Sequence, residues 1–161
     1  MTKPTRKQEE EFIRESNAIE REYDEESFVD ALEAWDYIKG KQILTIPEIL
    51  ETHRILMENQ DIPAHTKGEW RTCTVFIGGR QGLNWQYIPN AMEDWVHEMN
   101  IPLREANWDA IDLHVEYEKI HPFIDGNGRT GRMFMNWHRL RNGLQLLTIK
   151  ESEKEEYYKW F

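Results

Sequence analysis

Residues 120–132, IHPFIDGNGRTGR, join two helical segments through a glycine-rich loop. The preceding segment, WDAIDLHVEYEKI, carries charges throughout and spaces Trp108, Ile111 and Val115 as on one helical face. GNGRTG matches the GxGxxG pattern of dinucleotide-binding folds, but that pattern needs a buried strand before it. No Lys-Ser or Lys-Thr pair follows the glycines, so a P-loop is excluded too. The sequence therefore predicts a helix, a sharp loop and a second helix that begins near Asn127.

Most of the remaining chain also has helical periodicity. The predicted helices cover residues 6–21, 24–39, 45–59, 90–100, 108–120, 126–141 and, at the tail, 151–161. Gly40 stands where a C-terminal cap belongs, and Thr45 stands where an N-terminal cap belongs. In residues 71–89, Val, Phe, Ile, Trp and Tyr flank a Gly-rich centre, which predicts one short β-hairpin. The predicted fold is all-α and compact, a single domain over residues 1–161 with one hairpin.

Composition restricts the partners of the chain. With 161 residues, 39% of them hydrophobic, the chain can bury one sizeable core. A formal net charge of -10 argues against a nucleic-acid partner, because binding to phosphate backbones needs a basic face. The lone Cys73 cannot form an internal disulfide, which favours a reducing compartment. No apolar run approaches the ~18 residues of a membrane span, and no signal peptide is visible. We therefore expect a soluble, cytoplasmic protein that does not contact membranes.

Charge is distributed unevenly along the chain. Residues 9–36 contain twelve acidic side chains against two basic ones. Residues 121–141 contain four arginines against a single acidic residue, Asp125. Charge alone leaves two interpretations open: the two segments attract each other, or both are solvated helix faces without mutual contact.

The loop contains the residue types of a phosphate-binding active site. A helix N-terminus has unsatisfied N–H groups and a partial positive charge, and glycines let an anion approach the backbone. Arg129 and Arg132 lie three residues apart, on one face of the second helix, as a polyphosphate clamp requires. Asp125 can hold a Mg²⁺ that bridges phosphates, and His121 has a pKa suited to a general base. An Asp-Gly turn with surface arginines would explain the glycines but not the histidine and arginines.

HPFIDGNGRTGR resembles the signature HPFx[DE]GNGRxxR of Fic-domain proteins and matches it at every defined position. GEWR and VFIGG, which precede a Pro-started helix, resemble the flap hairpin of that family, here residues 71–89. The resemblance implies transfer of AMP from ATP to a Ser, Thr or Tyr hydroxyl of a target protein. In that reaction His121 would take the hydroxyl proton, and Asp125 would bind Mg²⁺ or Mn²⁺ on the phosphates.

The resemblance also implies roles for other positions. Residues that would bind the phosphates of ATP are Gly126, Asn127, Gly128, Arg129 and Arg132. Residues that would dock the target by strand addition are Val75, Phe76, Ile77 and Gly78. Tyr157 and Tyr158 would lie on the adenine side of the nucleotide pocket. ATP and a protein target are therefore the expected partners. Self-modification and a homodimer stay open.

SNAIER, residues 16–21, resembles the inhibitory motif [ST]xxxE[GN] of the same family, except that Arg21 replaces Gly or Asn. In relatives the motif glutamate pairs with the second signature arginine and stops the γ-phosphate from docking productively. The resemblance therefore implies that Ser16 and Glu20 belong to an inhibitory helix and that Glu20 pairs with Arg132. We expect loss of Glu20 to raise AMP transfer and loss of His121 to abolish it.

Other functions stay open at this stage. Some relatives remove AMP from their target, and others transfer phosphocholine or phosphate, although Gly126 and Arg129 favour nucleotidyl transfer. A catalytically silent nucleotide-binding regulator is a different class, but here every catalytic position of the signature is present. His114, Glu118 and His121 also lie at i, i+4 and i+7, which suits a transition-metal site. His114 equally fits a position in the core.

Overall fold

The computed structural model describes residues 3–161 and consists mainly of helices. The α-helices are α1 (Arg6–Ile19), α2 (Glu25–Lys39), α3 (Ile46–Leu56), α4 (Ile88–Asn100), α5 (Ala110–Ile120), α6 (Asn127–Arg141) and α7 (Lys154–Tyr158). Two strands, β1 (Phe76–Ile77) and β2 (Arg80–Gln81), form a hairpin. Short 3₁₀ turns cover Ala64–Thr66, Trp85–Tyr87, Leu103–Glu105 and Glu151–Glu153. The predicted all-α fold with one short hairpin is confirmed.

Capping residues set several helix boundaries. The Thr45 side chain accepts the Glu48 amide at the start of α3, and Gly40 caps the end of α2. The Asp109 side chain accepts the Asp112 amide at 2.9 Å, so α5 begins at Ala110, two residues later than predicted. The third helix is shorter than the predicted span of 45–59: α3 ends at Leu56.

The hairpin is shorter than the predicted span of 71–89. β1 and β2 contain two residues each and pair antiparallel, with Phe76 opposite Gln81. Gly78 and Gly79 connect the strands with φ of 55° and 81°. A two-residue hairpin turn whose twist matches the strands needs positive φ at both positions, which explains the paired glycines.

The residues after β2 are helical, which corrects the prediction that the hairpin extends to residue 89. Trp85–Tyr87 is a 3₁₀ turn that leads directly into α4 at Ile88. The Asn84 side chain accepts the Gln86 amide at 3.0 Å and so caps the turn. The aromatic residues suggested a strand, but the local capping bond and the packing of Ile88 in the core favour the helix.

α6 runs through the centre of the fold and contacts α1, α2, α3 and α5. Its buried side chains join a core that also includes Phe12, Trp35, Ile49, Trp95, Tyr117 and Phe123. Burial of such side chains is the main stabilising contribution to a helical fold. Because α6 is enclosed by other helices, the loop at its N-terminus is held in one position.

A second, smaller hydrophobic cluster joins the C-terminal segment to α1. Its buried members are Ile19, Ala110, Met135, Ile149 and Tyr157. This cluster brings α7 beside the end of α1 and beside α6. None of the described helices is long and apolar enough to span a bilayer.

Candidate active site

A cavity of about 890 Å³ opens at the junction of the hairpin, the end of α5, the start of α6, the end of α1 and α7. Most of the candidate residues line this cavity: His121, Asp125, Gly126, Asn127, Gly128, Arg129, Arg132, Glu20, Ile77, Gly78, Tyr157 and Tyr158. Val75, Phe76 and Ser16 do not belong to its lining. The structure therefore brings together side chains from both ends of the chain around one space.

His121 ends α5 in a left-handed conformation, with φ of 50° and ψ of 63°. Its amide donates to the Tyr117 carbonyl at 2.9 Å, and the chain then turns sharply into the loop. Nδ1 lies 3.9 Å from Oε2 of Glu118, which is too long for a hydrogen bond. Burial lowers the pKa of His121 and raises that of Glu118 to about 7. The imidazole is therefore neutral at pH 7 and able to accept a proton.

The N-terminus of α6 lies at the cavity without a side-chain cap. Gly126 holds the N-cap position with φ of 85°, and a Cβ there would lie 2.9 Å from Sδ of Met57. The Asn127 side chain accepts the Phe123 amide and donates to the Phe123 carbonyl, both at 2.8 Å, so it fixes the loop. The backbone amide of Asn127 makes no hydrogen bond within the described residues and is left to bind an anion. Uncapped amides at a helix N-terminus favour a phosphate group.

Arg129 is buried but only loosely contacted. Its NH1 lies 3.5 Å from Oε1 of Gln60, and its NH2 lies 3.6 Å from Oδ1 of Asp125. Nε has no hydrogen-bond partner among the described residues, although only 2% of the residue is exposed. A buried guanidinium with unused donors suits a negatively charged ligand.

Arg132, one helical turn further on, has a partner at every nitrogen. Nε donates to Oγ of Ser16 at 2.7 Å, and NH1 donates to the Tyr157 hydroxyl at 3.1 Å. NH2 donates to the Ser16 carbonyl at 3.0 Å and to Oε1 of Glu20 at 2.9 Å. The acidic N-terminal segment therefore contacts the basic segment of α6 through Glu20 and Arg132. Arg132 is already bound by protein groups.

A family model described as Fic/DOC family matches residues 43–138. The chain belongs to the Fic/DOC family. It is 35% identical over 119 residues to Protein adenylyltransferase Fic of Drosophila willistoni, and 34% identical over 119 residues to that of Drosophila grimshawi. Each match covers 71% of this chain but only 23% and 24% of the relatives. The chain thus spans about a quarter of the length of these relatives.

Solved Fic structures share the fold. A Fic domain containing signaling protein from Bacteroides thetaiotaomicron has a TM-score of 0.79 at 23% identity, over 95% of this chain and 70% of that one. Fic-1 from C. elegans has a TM-score of 0.76 at 22% identity, over 96% of this chain and 55% of that one. The family expected from HPFIDGNGRTGR is confirmed.

Tyr157 of this Fic chain lies beneath Arg132. Its hydroxyl accepts the bond from Arg132 and lies 2.7 Å from Nε2 of His114, so it donates its proton to that nitrogen. Burial raises the pKa of Tyr157 to about 12 and lowers that of His114 to about 3. Both groups are therefore neutral. Tyr158 lies at the edge of the cavity and is exposed.

The alternative metal site of His114, Glu118 and His121 is not formed. Within residues 3–161, no three His, Cys, Asp or Glu side chains lie close enough together to hold a metal ion. His114 is buried in the core and is bound to Tyr157. Helical spacing placed the three residues along α5, but the packing of α7 takes His114 away from the cavity.

Sequence reasoning missed His53, which supports the Fic loop from α3. Its ring stacks on Phe123 with centroids 3.7 Å apart. Nδ1 accepts the Gly68 amide at 2.9 Å, so Nε2 carries the proton and donates to the Asp125 carbonyl at 2.9 Å. Burial lowers the pKa of His53 to about 4 and keeps the ring neutral. His53 lies four positions after Ile49, on the apolar face of α3, and this placement was the one available signal, but it did not reveal the partner.

Proposed function

We propose that the chain is a protein adenylyltransferase that transfers AMP from ATP to a Ser, Thr or Tyr hydroxyl of a target protein. Its relatives in Drosophila are named protein adenylyltransferase. One observation carries the proposal: neutral His121 shares a cavity with the uncapped N-terminus of α6 and with the unused donors of Arg129. This arrangement pairs a general base with a phosphate site.

His121 would act as the general base in the transfer step. It accepts the proton of the target hydroxyl while the hydroxyl oxygen attacks the α-phosphorus of ATP. The bond between the α-phosphorus and its bridging oxygen breaks, and pyrophosphate leaves. The products are a phosphodiester of AMP on the target and an imidazolium that returns its proton to solvent. The amides of Asn127 and Gly128 and the guanidinium of Arg129 stabilise the charge on the phosphates.

Asp125 fits the role of the ligand for Mg²⁺ or Mn²⁺. Its Oδ1 accepts the Gly126 amide at 2.8 Å, which orients the carboxylate, and about half of the side chain is exposed at the cavity. Mg²⁺ in nucleotide sites is usually held by one or two carboxylates together with phosphates, so one carboxylate is enough. When bound, Mg²⁺ neutralises charge on the phosphates.

Glu20 would inhibit the enzyme by occupying Arg132. Oε1 of Glu20 lies 2.9 Å from NH2 of Arg132, which is buried and also bound to both Ser16 and Tyr157. While these bonds persist, four of the five N–H donors of Arg132 are used by protein groups, so at most one is left for the terminal phosphates of ATP. A Cβ on Gly128 would collide with the Glu20 carboxylate, so this carboxylate also lies against the start of α6.

The hairpin would hold the target in place. Residues 75–78 include β1, whose Phe76 is 70% exposed and whose only paired neighbour within the described chain is β2. A strand with a free edge can pair with an extended segment of another protein. Such pairing would set the distance between the target hydroxyl and His121.

Transfer of radiolabel tests the proposal. The full chain with Glu20→Gly is incubated in host lysate with ATP labelled at the α- or the γ-phosphate. The control is the double variant Glu20→Gly with His121→Ala, and we expect label above the level of this control from α-labelled ATP only. Label from γ-labelled ATP would instead indicate phosphoryl transfer. Absence of label from both, together with ATP binding, would indicate a silent nucleotide-binding regulator.

A further inference from the structure

Arg71 is a buried side chain that joins the hairpin to the end of α5. Its Nε donates to the His121 carbonyl at 2.6 Å, and NH2 reaches the Ile120 carbonyl at 3.2 Å. NH2 also donates to the Leu83 carbonyl at 2.7 Å, and NH1 donates to the Cys73 carbonyl at 2.8 Å. Cys73 precedes β1 and Leu83 follows β2. One guanidinium therefore binds both ends of the hairpin and the candidate catalytic residue.

The backbone of Arg71 strengthens the same connection. Its amide donates to the Pro122 carbonyl at 2.9 Å, so Arg71 contacts three successive carbonyls, from Ile120 to Pro122. This is where His121 adopts its left-handed conformation, which is unfavourable for a residue other than glycine. The surrounding bonds must hold that conformation, and Arg71 supplies those to the carbonyls of residues 120–122 from outside α5 and the loop.

The charge of Arg71 acts on the imidazole as well. Only 3% of Arg71 is exposed, and within residues 3–161 it forms no salt bridge. Burial is the main cause of the lowered pKa of His121, and the positive charge of Arg71 acts in the same direction. The Glu118 backbone and the charges of Glu20 and Asp125 act in the opposite direction. Arg71 thus helps to keep the imidazole neutral despite the negative charges of Glu20 and Asp125.

We propose that Arg71 is a positioning residue that couples target docking at the hairpin to the placement of His121. The inference rests on the proposed AMP transfer. A segment that pairs with β1 orders the hairpin, and the carbonyls of Cys73 and Leu83 transmit that order through Arg71 to the His121 carbonyl. Loss of the guanidinium uncouples the hairpin from the end of α5.

Two substitutions separate the geometry of Arg71 from its charge. In the full chain with Glu20→Gly, Arg71→Met removes both the charge and the donors, whereas Arg71→Lys keeps the charge but loses the planar fork. Arg139→Met is the matched control, because Arg139 also donates to a backbone carbonyl, that of Gln145 at 2.9 Å, away from the cavity. The measurements are AMP incorporation from α-labelled ATP, the KM for ATP and an NMR titration of His121.

We expect both Arg71 variants to lower AMP incorporation by about 10²-fold with little change in the KM for ATP, because the base and target are misplaced. The midpoint of the His121 titration should move to higher pH in Arg71→Met, since a cation that lowers its pKa is lost. It should stay in place in Arg71→Lys and in Arg139→Met. An unchanged rate and an unchanged titration in folded Arg71→Met would overturn the proposal.

Two further outcomes remain decisive. If Arg71→Met does not fold, Arg71→Lys decides alone: a lower rate supports the proposal and an unchanged rate rejects it. If the Glu20→Gly parent transfers no AMP, the proposed function fails, and hydrogen exchange then tests the coupling. The Gly82 amide, bound to the Val75 carbonyl at 2.8 Å, and the His121 amide should both exchange faster in the Arg71 variants. Unchanged protection at either amide would contradict the coupling.

Discussion

Arg21 ends the proposed inhibitory motif, at the position where the motif that it resembles has Gly or Asn, and the end of α1 gives a reason for those residues. The Glu22 amide donates to the Asn17 carbonyl, and the Arg21 amide donates to the Ala18 carbonyl, both at 2.9 Å. These two bonds form a Schellman motif, which needs a left-handed residue just after the C-cap. Arg21 is that residue, with φ of 60°. The motif therefore ends in Gly or Asn because those residues adopt this conformation most easily.

Arg21→Gly should stabilise the chain slightly, and the cost of the left-handed backbone conformation sets the magnitude. The left-handed conformation costs a non-glycine residue about 1–2 kcal/mol. Glycine avoids that cost, but its greater conformational freedom in the unfolded chain lowers the free energy of unfolding by about 0.5–1 kcal/mol. With both values at the middle of their ranges, the difference predicts a rise of about 0.75 kcal/mol in the free energy of unfolding. For a chain of this length, that rise corresponds to an increase in Tm of about 1–4 °C.

The same substitution should strengthen the inhibition, because Glu20 immediately precedes Arg21. If the end of α1 must open before Arg132 can bind phosphate, Arg21→Gly lowers basal AMP transfer about two- to fivefold. Thermal unfolding and AMP incorporation from α-labelled ATP measure the two effects. Arg21→Ala is the control, since it removes the guanidinium but keeps the Cβ that causes the strain. An equal rise in Tm for both variants, or none for Arg21→Gly, would refute the reasoning.

Two other predictions concern the contacts around Arg132 and its network. Glu20→Gln should raise AMP incorporation, because it removes the charge that holds Arg132. The control Glu11→Gln, on the exposed face of α1, should leave the rate of incorporation unchanged. Equal rates in the two variants would argue against inhibition by Glu20. His114 has a pKa of about 3 in the fold, below its unfolded value, so the unfolded chain binds the extra proton first. His114 should therefore contribute a fall of about 1.4 kcal/mol per pH unit in the free energy of unfolding as pH drops below about 6.5, in addition to the contribution of His53. Urea titrations at several pH values measure this slope. The slope should be shallower in His114→Gln, a variant that keeps a hydrogen-bonding group near Tyr157. Identical slopes in the two proteins would contradict the lowered pKa of His114.

The sequence by itself determined the helices and the chemistry of the loop. Periodicity and caps act over a few residues, so Gly40 and Thr45 marked helix ends that the structure confirms. The residues from His121 to Arg132 are neighbours in the chain, so a loop followed by a helix brings them together under almost any packing. For the same reason the family could be identified from that stretch alone.

Tertiary packing decided the contacts that support and restrain this loop. The bonds of Arg71 to His121, of His53 to Asp125 and of Tyr157 to Arg132 join residues 50, 72 and 25 positions apart. No local propensity encodes such pairs, because each depends on how whole helices lie against one another. The length of the hairpin also depended on residues beyond the strands. The capped 3₁₀ turn after β2 and the packing of α4 in the core prevent the hairpin from extending further. Sequence periodicity thus predicted the elements, whereas only the folded arrangement showed which side chains hold His121 in place and which ones bind Arg132.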